Sequence, residues 1–284
     1  MADADHLAAA QDDGLYAPEI GSWGRLKYSL VASYCRTFAT AMKRKWNDRV
    51  YIDLFAGAGM AKLKDTGCMV WASPMRALQV VDPFDRYVFC EKDAVALQAL
   101  RMRVERCYPS TDVRYVPGDV NTETPQVLAH LPQHGPSHKV LTLCFADPYK
   151  LGNLAFQTIR ALAARFVDFL VLIPTDMDAN RNVSCYVDAQ NIRIERFLGN
   201  PDWRQEWESA RGRNQSFGVF LADHFGRQMQ TLGYIHRGVD QMPLIRSTRK
   251  NLPLYRLALF SRHELGAKFW AEARKYGDPQ IGLL

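Results

Sequence analysis

Four short stretches hold the residues best suited to chemistry. Asp53-Leu54-Phe55-Ala56-Gly57-Ala58-Gly59 closes an apolar run. Its small residues let a ligand approach the backbone, and the amides that follow can hold a carboxylate or a phosphate. A pyrophosphate turn would want a third glycine opening a helix at once, whereas here Met60 follows and the next helix starts near Ser73. Glu91 stands where a second strand ends, a position from which doubly wound folds accept both hydroxyl hydrogens of a ribose. The plainer role of capping the next helix suits Asp93 better. Gly118-Asp119 follows a third strand, within reach of an adenine amino group or else in a simple Pro-Gly-Asp turn. Phe145-Ala146-Asp147-Pro148-Tyr149 combines an acceptor, a rigid turn and a flat ring. That set suits a planar amine held by the carboxylate and stacked on the ring, with a β-turn and a packed tyrosine as the alternative.

The elements that must position these residues alternate in kind. Trp23, Leu26, Leu30, Tyr34, Phe38 and Met42 recur at helical spacing ahead of the basic run Lys43 to Lys45. Strands are predicted at 49–55, 86–90, 113–116, 139–145 and 167–173, with a long loop over 59–72. Helices are predicted at 73–81 (Ser73 as N-cap, Pro74 at the first helical position), 93–107, 122–131 and 154–166. Continuous apolar strands between helices mean a parallel sheet covered on both faces. After Pro174 the pattern turns helical over 183–198, 203–211 and 217–232. Two closing strands, 233–239 and 254–261, then form an antiparallel pair before a helix at 264–275. The predicted fold is therefore α/β, a doubly wound and mostly parallel seven-stranded sheet with a helical insertion and a C-terminal antiparallel hairpin. The divisions are a flexible acidic tail (1–20), a core (21–174), the insertion (175–232) and the closing hairpin and helix (233–284).

Composition excludes whole classes of function. With 284 residues and 48% hydrophobic content the chain builds one substantial core rather than a fibrous or disordered molecule. No apolar run is long enough to span a membrane, and the acidic start is unlike a signal peptide, so the expectation is a cytoplasmic protein. Six scattered cysteines form no CxxC and predict neither disulfides nor a zinc site. His130, His134 and His138 are spaced like helical metal ligands, but Pro132 and Pro136 break such a helix, so no metal is expected. The net charge is +6, and residues 181–262 carry 13 Lys and Arg against 7 Asp and Glu, an excess of 6 that matches the whole imbalance. A polyanion such as nucleic acid is one partner for that segment, with Trp203, Trp207 and Tyr234 as accompanying aromatics; helix packing and solvated helix faces are the alternative.

The order of the four stretches resembles the class I S-adenosylmethionine methyltransferases. More narrowly, the chain resembles the three-Cys-motif partner (TcmP) family through YIDLFAGAG (51–59), SPMRAL (73–78), FDRYVFCEKD (84–93), FADPYKL (145–151) and LYRLALFSRHELGAKFW (254–270). The resemblance implies that S-adenosylmethionine is the cofactor, with Asp53, Phe55, Gly57 and Gly59 around its methionine part, Glu91 at the ribose and Asp119 near the adenine. With that cofactor, the acceptor set Asp147, Pro148 and Tyr149 leads to the expectation of methyl transfer to an exocyclic base nitrogen of RNA or DNA. The resemblance also implies a partner, a separate phage-type, radical-SAM-like protein with a cysteine triad, which this chain would serve as an enzyme or as a binding subunit with little activity of its own. The triplet Asp147-Pro148-Tyr149 lacks the second proline usual in amino-directed nucleic-acid enzymes and is closer to an Asp-Pro-Phe type. Cytosine C5 chemistry would need a nucleophilic cysteine in a Pro-Cys turn, whereas Cys144 sits inside a strand.

Overall fold

The computed structural model describes residues 10–277. Strand β1 (Glu19–Ile20) leads into helix α1 (Gly24–Met42), whose buried Leu30, Tyr34, Phe38 and Met42 form the predicted apolar stripe. Strand β2 (Asp48–Asp53) is followed by β3 (Met60–Leu63) and β4 (Met69–Trp71). The stretch expected to be a long loop is thus a hairpin, and β1 adds to it in parallel as a third strand. Met60, Ala61, Leu63 and Val70 are buried there, which supplies the driving force, and Gly67 turns the chain at φ 68°.

The alternation predicted for the core follows. Helix α2 (Ser73–Leu78), β5 (Arg86–Glu91), α3 (Ala94–Cys107), β6 (Val113–Pro117), α4 (Val120–Ala129) and β7 (Val140–Ala146) come in turn. Next are α5 (Phe156–Leu162), shorter than predicted, and β8 (Val167–Ile173). The helical region holds α6 (Val183–Val187), α7 (Arg193–Leu198), α8 (Trp203–Arg211) and α9 (Phe217–Thr231). The single helix expected over 183–198 is broken because Asp188 accepts from the Gln190 amide and Asn191 from that of Arg193, and these local turns compete with the helix. Strands β9 (Leu244–Arg246) and β10 (Pro253–Phe260) and helix α10 (Glu264–Gly277) complete the order.

The seven-stranded sheet runs β6-β5-β2-β7-β8-β10-β9, parallel throughout except for β10, which is antiparallel to both neighbours. The order reverses between β2 and β7, and ligands of such sheets bind outside the carboxyl ends of the strands at that reversal. Alternate residues face opposite ways: Val50 and Ile52 join one buried cluster with α4, α5 and α7 to α9, while Tyr51 joins another with α1, α2, α3 and α10.

The closing hairpin departs from expectation as well. The strand predicted at 233–239 is a loop, with Gly233 and Gly238 at φ 85° and 95°, and the hairpin partner is the shorter β9. Arg256 fixes the replacement path by donating to the carbonyls of Val239 and Met242 at 3.2 and 3.0 Å. The acidic tail, of which residues 1–9 lie outside the described residues, is held from residue 10 onward. Ala10 bridges to Met69, and Asp13 takes the guanidinium of the fully buried Arg103 at 2.7 and 2.8 Å.

Candidate active site

The glycine turn leaves β2 at the reversal point, and its shape is set from below. Asp53 has no exposed surface. Its carboxylate accepts from the Phe55 amide at 3.2 Å and the Tyr51 hydroxyl at 3.3 Å, and it is also hydrogen-bonded by Ser73. Burial pushes its pKa up to about 7 against the pull of these donors, with the Asp147 charge adding to the rise. Asp53 therefore lies beneath the turn, not in its mouth. Ser73 is not the predicted N-cap: Ala72 occupies that position and the Ser73 side chain turns to Asp53.

The two glycines differ in what surrounds them. Both take left-handed φ, 61° at Gly57 and 80° at Gly59. A Cβ on Gly59 would meet Leu100 Cδ1 at 2.8 Å and Met75 Cγ at 3.0 Å, whereas one on Gly57 would meet nothing within 4 Å. Gly59 packs the turn onto α2 and α3, and Gly57 faces open space. Phe55, half-buried, packs its ring on the cluster beneath the sheet.

The acids on β5 and β6 both stand at the carboxyl edge. Glu91 bridges two backbone amides, Gly57 at 2.7 Å and Asp93 at 2.8 Å, and so ties the turn to the next strand. Asp93 caps α3 by accepting from Val95 and Ala96, as its sequence position predicts. Asp119 caps α4 through the Asn121 amide at 3.0 Å and pairs with Lys92 at 3.1 Å. Burial opposes its ionisation, but the donors from Asn121 and Lys92 outweigh it and hold the carboxyl below its ordinary pKa.

The triplet that follows β7 ends at the surface. Asp147 is half-buried, Pro148 is buried and Tyr149 is 72% exposed, with the Lys150 ammonium 6.0 Å from its ring centroid. The residue that sequence reasoning missed here is Lys27 of α1. Its ammonium donates to Asp147 Oδ2 at 2.5 Å, and the two side chains are only 13% and 17% exposed. Burial works against the lysine's charge, yet the attraction of Asp147, with smaller help from Tyr28 and Tyr255, overcomes it and raises its pKa. Asp147 Oδ1 makes no hydrogen bond among the described residues. The buried Tyr255 hydroxyl, within electrostatic range of both Lys27 and Asp147, also has no hydrogen-bond partner there.

The basic segment is partly spent on structure. Arg204 donates to the carbonyls of Val187, Asp188 and Asn191, and Arg262 to those of Ala163, Arg165 and Leu232, so neither is free to neutralise phosphate. Trp203, Trp207 and Tyr234 are at most 5% exposed and pack in the core, which removes them as stacking platforms. Exposed Arg181, Arg213, Arg249 and Lys250 carry charge that remains at the surface. Cys144 is fully buried and its thiol is pushed well above its ordinary pKa by burial, unsuited to nucleophilic attack. Among the described residues no helix is long and apolar enough to cross a membrane, and no three His, Cys, Asp or Glu side chains cluster to hold a metal ion.

No protein-family model matches the chain, and no curated protein matches it in sequence. Among solved structures it is similar to protein LPL1258 from Legionella pneumophila, at 15% identity and a TM-score of 0.46 over 89% of this chain and 93% of that one. It is also similar to precorrin-6y C5,15-methyltransferase from Geobacter metallireducens, at 12% identity and 0.44 over 89% and 97%. A third is TYW2 from P. horikoshii in complex with MeSAdo, at 11% identity and 0.43 over 92% and 73%. These likenesses are remote, and the functional reading rests on the residues of the site itself.

Proposed function

We propose that this chain is an S-adenosylmethionine-dependent methyltransferase whose acceptor is an exocyclic nitrogen of a nucleic-acid base. One observation carries the reading: a glycine turn, two acids and an Asp-Pro-aromatic triplet follow four parallel strands in order and meet at the carboxyl edge where the strand order reverses. The residues fit such a cofactor, because Gly57 leaves space where a side chain would stand and Glu91 sits where a ribose acid belongs. When bound, the cofactor supplies a methyl group made electrophilic by its sulfonium. Glu91 and Asp119 would hold the nucleoside half, and the amides of the glycine turn the methionine half. Asp147 would orient the acceptor amine through Oδ1 while Lys27 fixes Oδ2, and Tyr149 would stack on the base. With a good leaving group on sulfur, positioning and exclusion of water replace a strong base. The exposed arginines, together with Lys250, would hold the acceptor's backbone.

A second reading has its own support. Both oxygens of Glu91 already accept from backbone amides, and Asp147 is already ion-paired, as in a domain that has kept the fold while serving a radical-SAM-like three-Cys-motif partner of the kind the TcmP resemblance implies. Calorimetric titration with S-adenosylmethionine and S-adenosylhomocysteine separates the two. Binding in the micromolar range, weakened at least about tenfold in Glu91→Ala, supports the enzyme and leads to RNA and DNA acceptor assays with Asp147→Ala as the control. No binding at about millimolar ligand by the folded protein overturns it and favours the binding subunit.

A further inference from the structure

The amino ends of β7 and β8 hold a second cavity, at the edge of the sheet opposite the candidate active site. It has a volume of about 410 Å³, within the roughly 300–1,000 Å³ of small-molecule sites, and its walls are mostly apolar. Phe38 lines it from α1, and Leu265 and Phe269, one turn apart, line it from α10. Trp46 and Phe166 add two further rings, with centroids 5.9 Å apart. Phe166 is 49% exposed and is backed by the His134 ring at 4.3 Å.

Asp168 supplies the one carboxyl group of this lining. It is the second residue of β8, five residues and roughly 17 Å from Ile173 at the carboxyl edge, at 3.3 Å per residue. Val167 and Phe169 point to the other face of the sheet, and β7 and β10 flank β8 on its two sides. The exposed part of Asp168 is therefore its side chain, on the α1 and α10 face where the cavity lies. Gly266 has no side chain to cover Oδ2; a Cβ there would stand 3.6 Å from it. Ser261 is the one hydrogen-bond donor to Asp168 among the described residues, which leaves acceptor sites on the carboxyl group unused. Burial pushes its pKa up to about 7 against the Ser261 hydroxyl and the Arg262 charge.

The remaining charges are positive. Arg262 is fixed near Asp168 by the carbonyls it holds at Ala163, Arg165 and Leu232, and Lys45 is exposed in the lining. His263 spends Nδ1 on the Leu265 amide at 3.1 Å. A cationic ligand would meet this charge, and a purely apolar one would leave a desolvated carboxyl group without a further donor. A neutral ring carrying one N–H or O–H satisfies both the walls and the acceptor.

We propose that this cavity binds a small neutral aromatic molecule whose single N–H or O–H donates to Asp168, at a site separate from the proposed cofactor and acceptor edges. The test is ligand-observed NMR titration of the full chain with indole and with 1-methylindole, in which a methyl group replaces the donor hydrogen. Indole should saturate, and 1-methylindole should bind about tenfold more weakly, the difference expected for a hydrogen bond to a carboxylate. Asp168→Ala should remove the difference between the two probes. Phe166→Ala should weaken both about fivefold through the lost ring contact. Because Phe166 is half-exposed and the comparison of probes on the wild type needs no variant, the test stands even if Asp168→Ala disturbs folding. Absence of saturable binding, equal affinity of the wild type for the two probes, affinity untouched by Phe166→Ala, or tighter binding of tryptamine or indole-3-acetate than of indole would each overturn the proposal.

Discussion

The two halves of the carboxyl edge, proposed above as the cofactor side and the acceptor side, are built in different ways. On the side of β2, β5 and β6 the three acids are held by backbone amides and by neighbouring strand ends: Glu91 by the Gly57 and Asp93 amides, Asp119 by Asn121 and Lys92, and Asp53 by Phe55, Tyr51 and Ser73. On β7 the decisive contact is long-range, since Lys27 lies 120 residues before Asp147. The first half is a rigid cradle made by turns. The second depends on α1 packing correctly, so it is the half that mutation should disturb most.

The largest expected effect follows from that dependence. Lys27→Ala leaves the Asp147 carboxylate half-buried, uncompensated and near the Asp53 carboxyl, and should destabilise the fold by about 3–5 kcal/mol. Replacing both partners, Lys27→Met with Asp147→Leu, should recover most of that loss. Chemical denaturation of the two single variants and the double variant reads the coupling directly. If the single losses simply add in the double variant, the pair contributes nothing and the contrast between the two sides fails.

Asp53 gives the second effect, on the cradle side. The folded protein holds this proton more tightly than the unfolded chain, whose aspartate titrates near 3.9. Its contribution is therefore fully present at acid pH and is lost as pH rises through about 7. In Asp53→Asn the group stays neutral, so the variant should gain on the wild type between pH 4 and pH 8, by at most roughly 4 kcal/mol. Asp168, also pushed up to about 7 by burial, is common to both proteins and cancels in the difference. Parallel stability-against-pH curves for the two proteins would show that Asp53 is already ionised in the folded state.

The same contrast explains how much was legible in the sequence. The glycine turn, the Asp93 cap and the strand-end acids are local patterns, each complete within a few residues, and the sheet follows from apolar runs. Lys27 lies on an amphipathic helix among ordinary polar positions, and only the docking of α1 reveals it. Trp203 and Trp207 look the same in sequence whether they stack on a ligand or fill a core, and tertiary packing put them in the core. The hairpin over 60–71 went unread because its strands are three and four residues long, below the length at which alternation declares itself. The glycines of the 233–238 loop sit at both ends of a stretch with good strand composition, and their left-handed φ, not composition, decided its path.

Gly57 and Gly59 sharpen the comparison at a smaller scale. Gly59→Ala combines a left-handed φ with a crowded Cβ and should cost about 2–3 kcal/mol, seen in thermal denaturation. Gly57→Ala carries only the backbone penalty of about 1–2 kcal/mol, but its methyl points into the space assigned to the cofactor. S-adenosylhomocysteine titration should show the larger loss in Gly57→Ala and denaturation the larger loss in Gly59→Ala. Both losses falling on one variant would mean that the two positions do the same work.

The smallest structural effect belongs to the residue at the far end of the acceptor side. Tyr149 is 72% exposed, so Tyr149→Ala should alter stability by no more than about 0.5 kcal/mol. Its ring lies two residues beyond an aspartate whose free oxygen would orient an amine, and stacking on an exposed base contributes about 1–3 kcal/mol. Anisotropy titration of a short single-stranded RNA and of the matching DNA should therefore show affinity falling about tenfold or more in Tyr149→Ala, while Tyr149→Phe, which keeps the ring, stays near wild type. Lys150, close to the same ring, supplies a control, because Lys150→Ala should weaken binding chiefly through its salt dependence. Should the alanine and phenylalanine variants at Tyr149 bind both strands as well as the wild type does, the ring is no platform, and the acceptor side would keep only its buried Lys27–Asp147 pair.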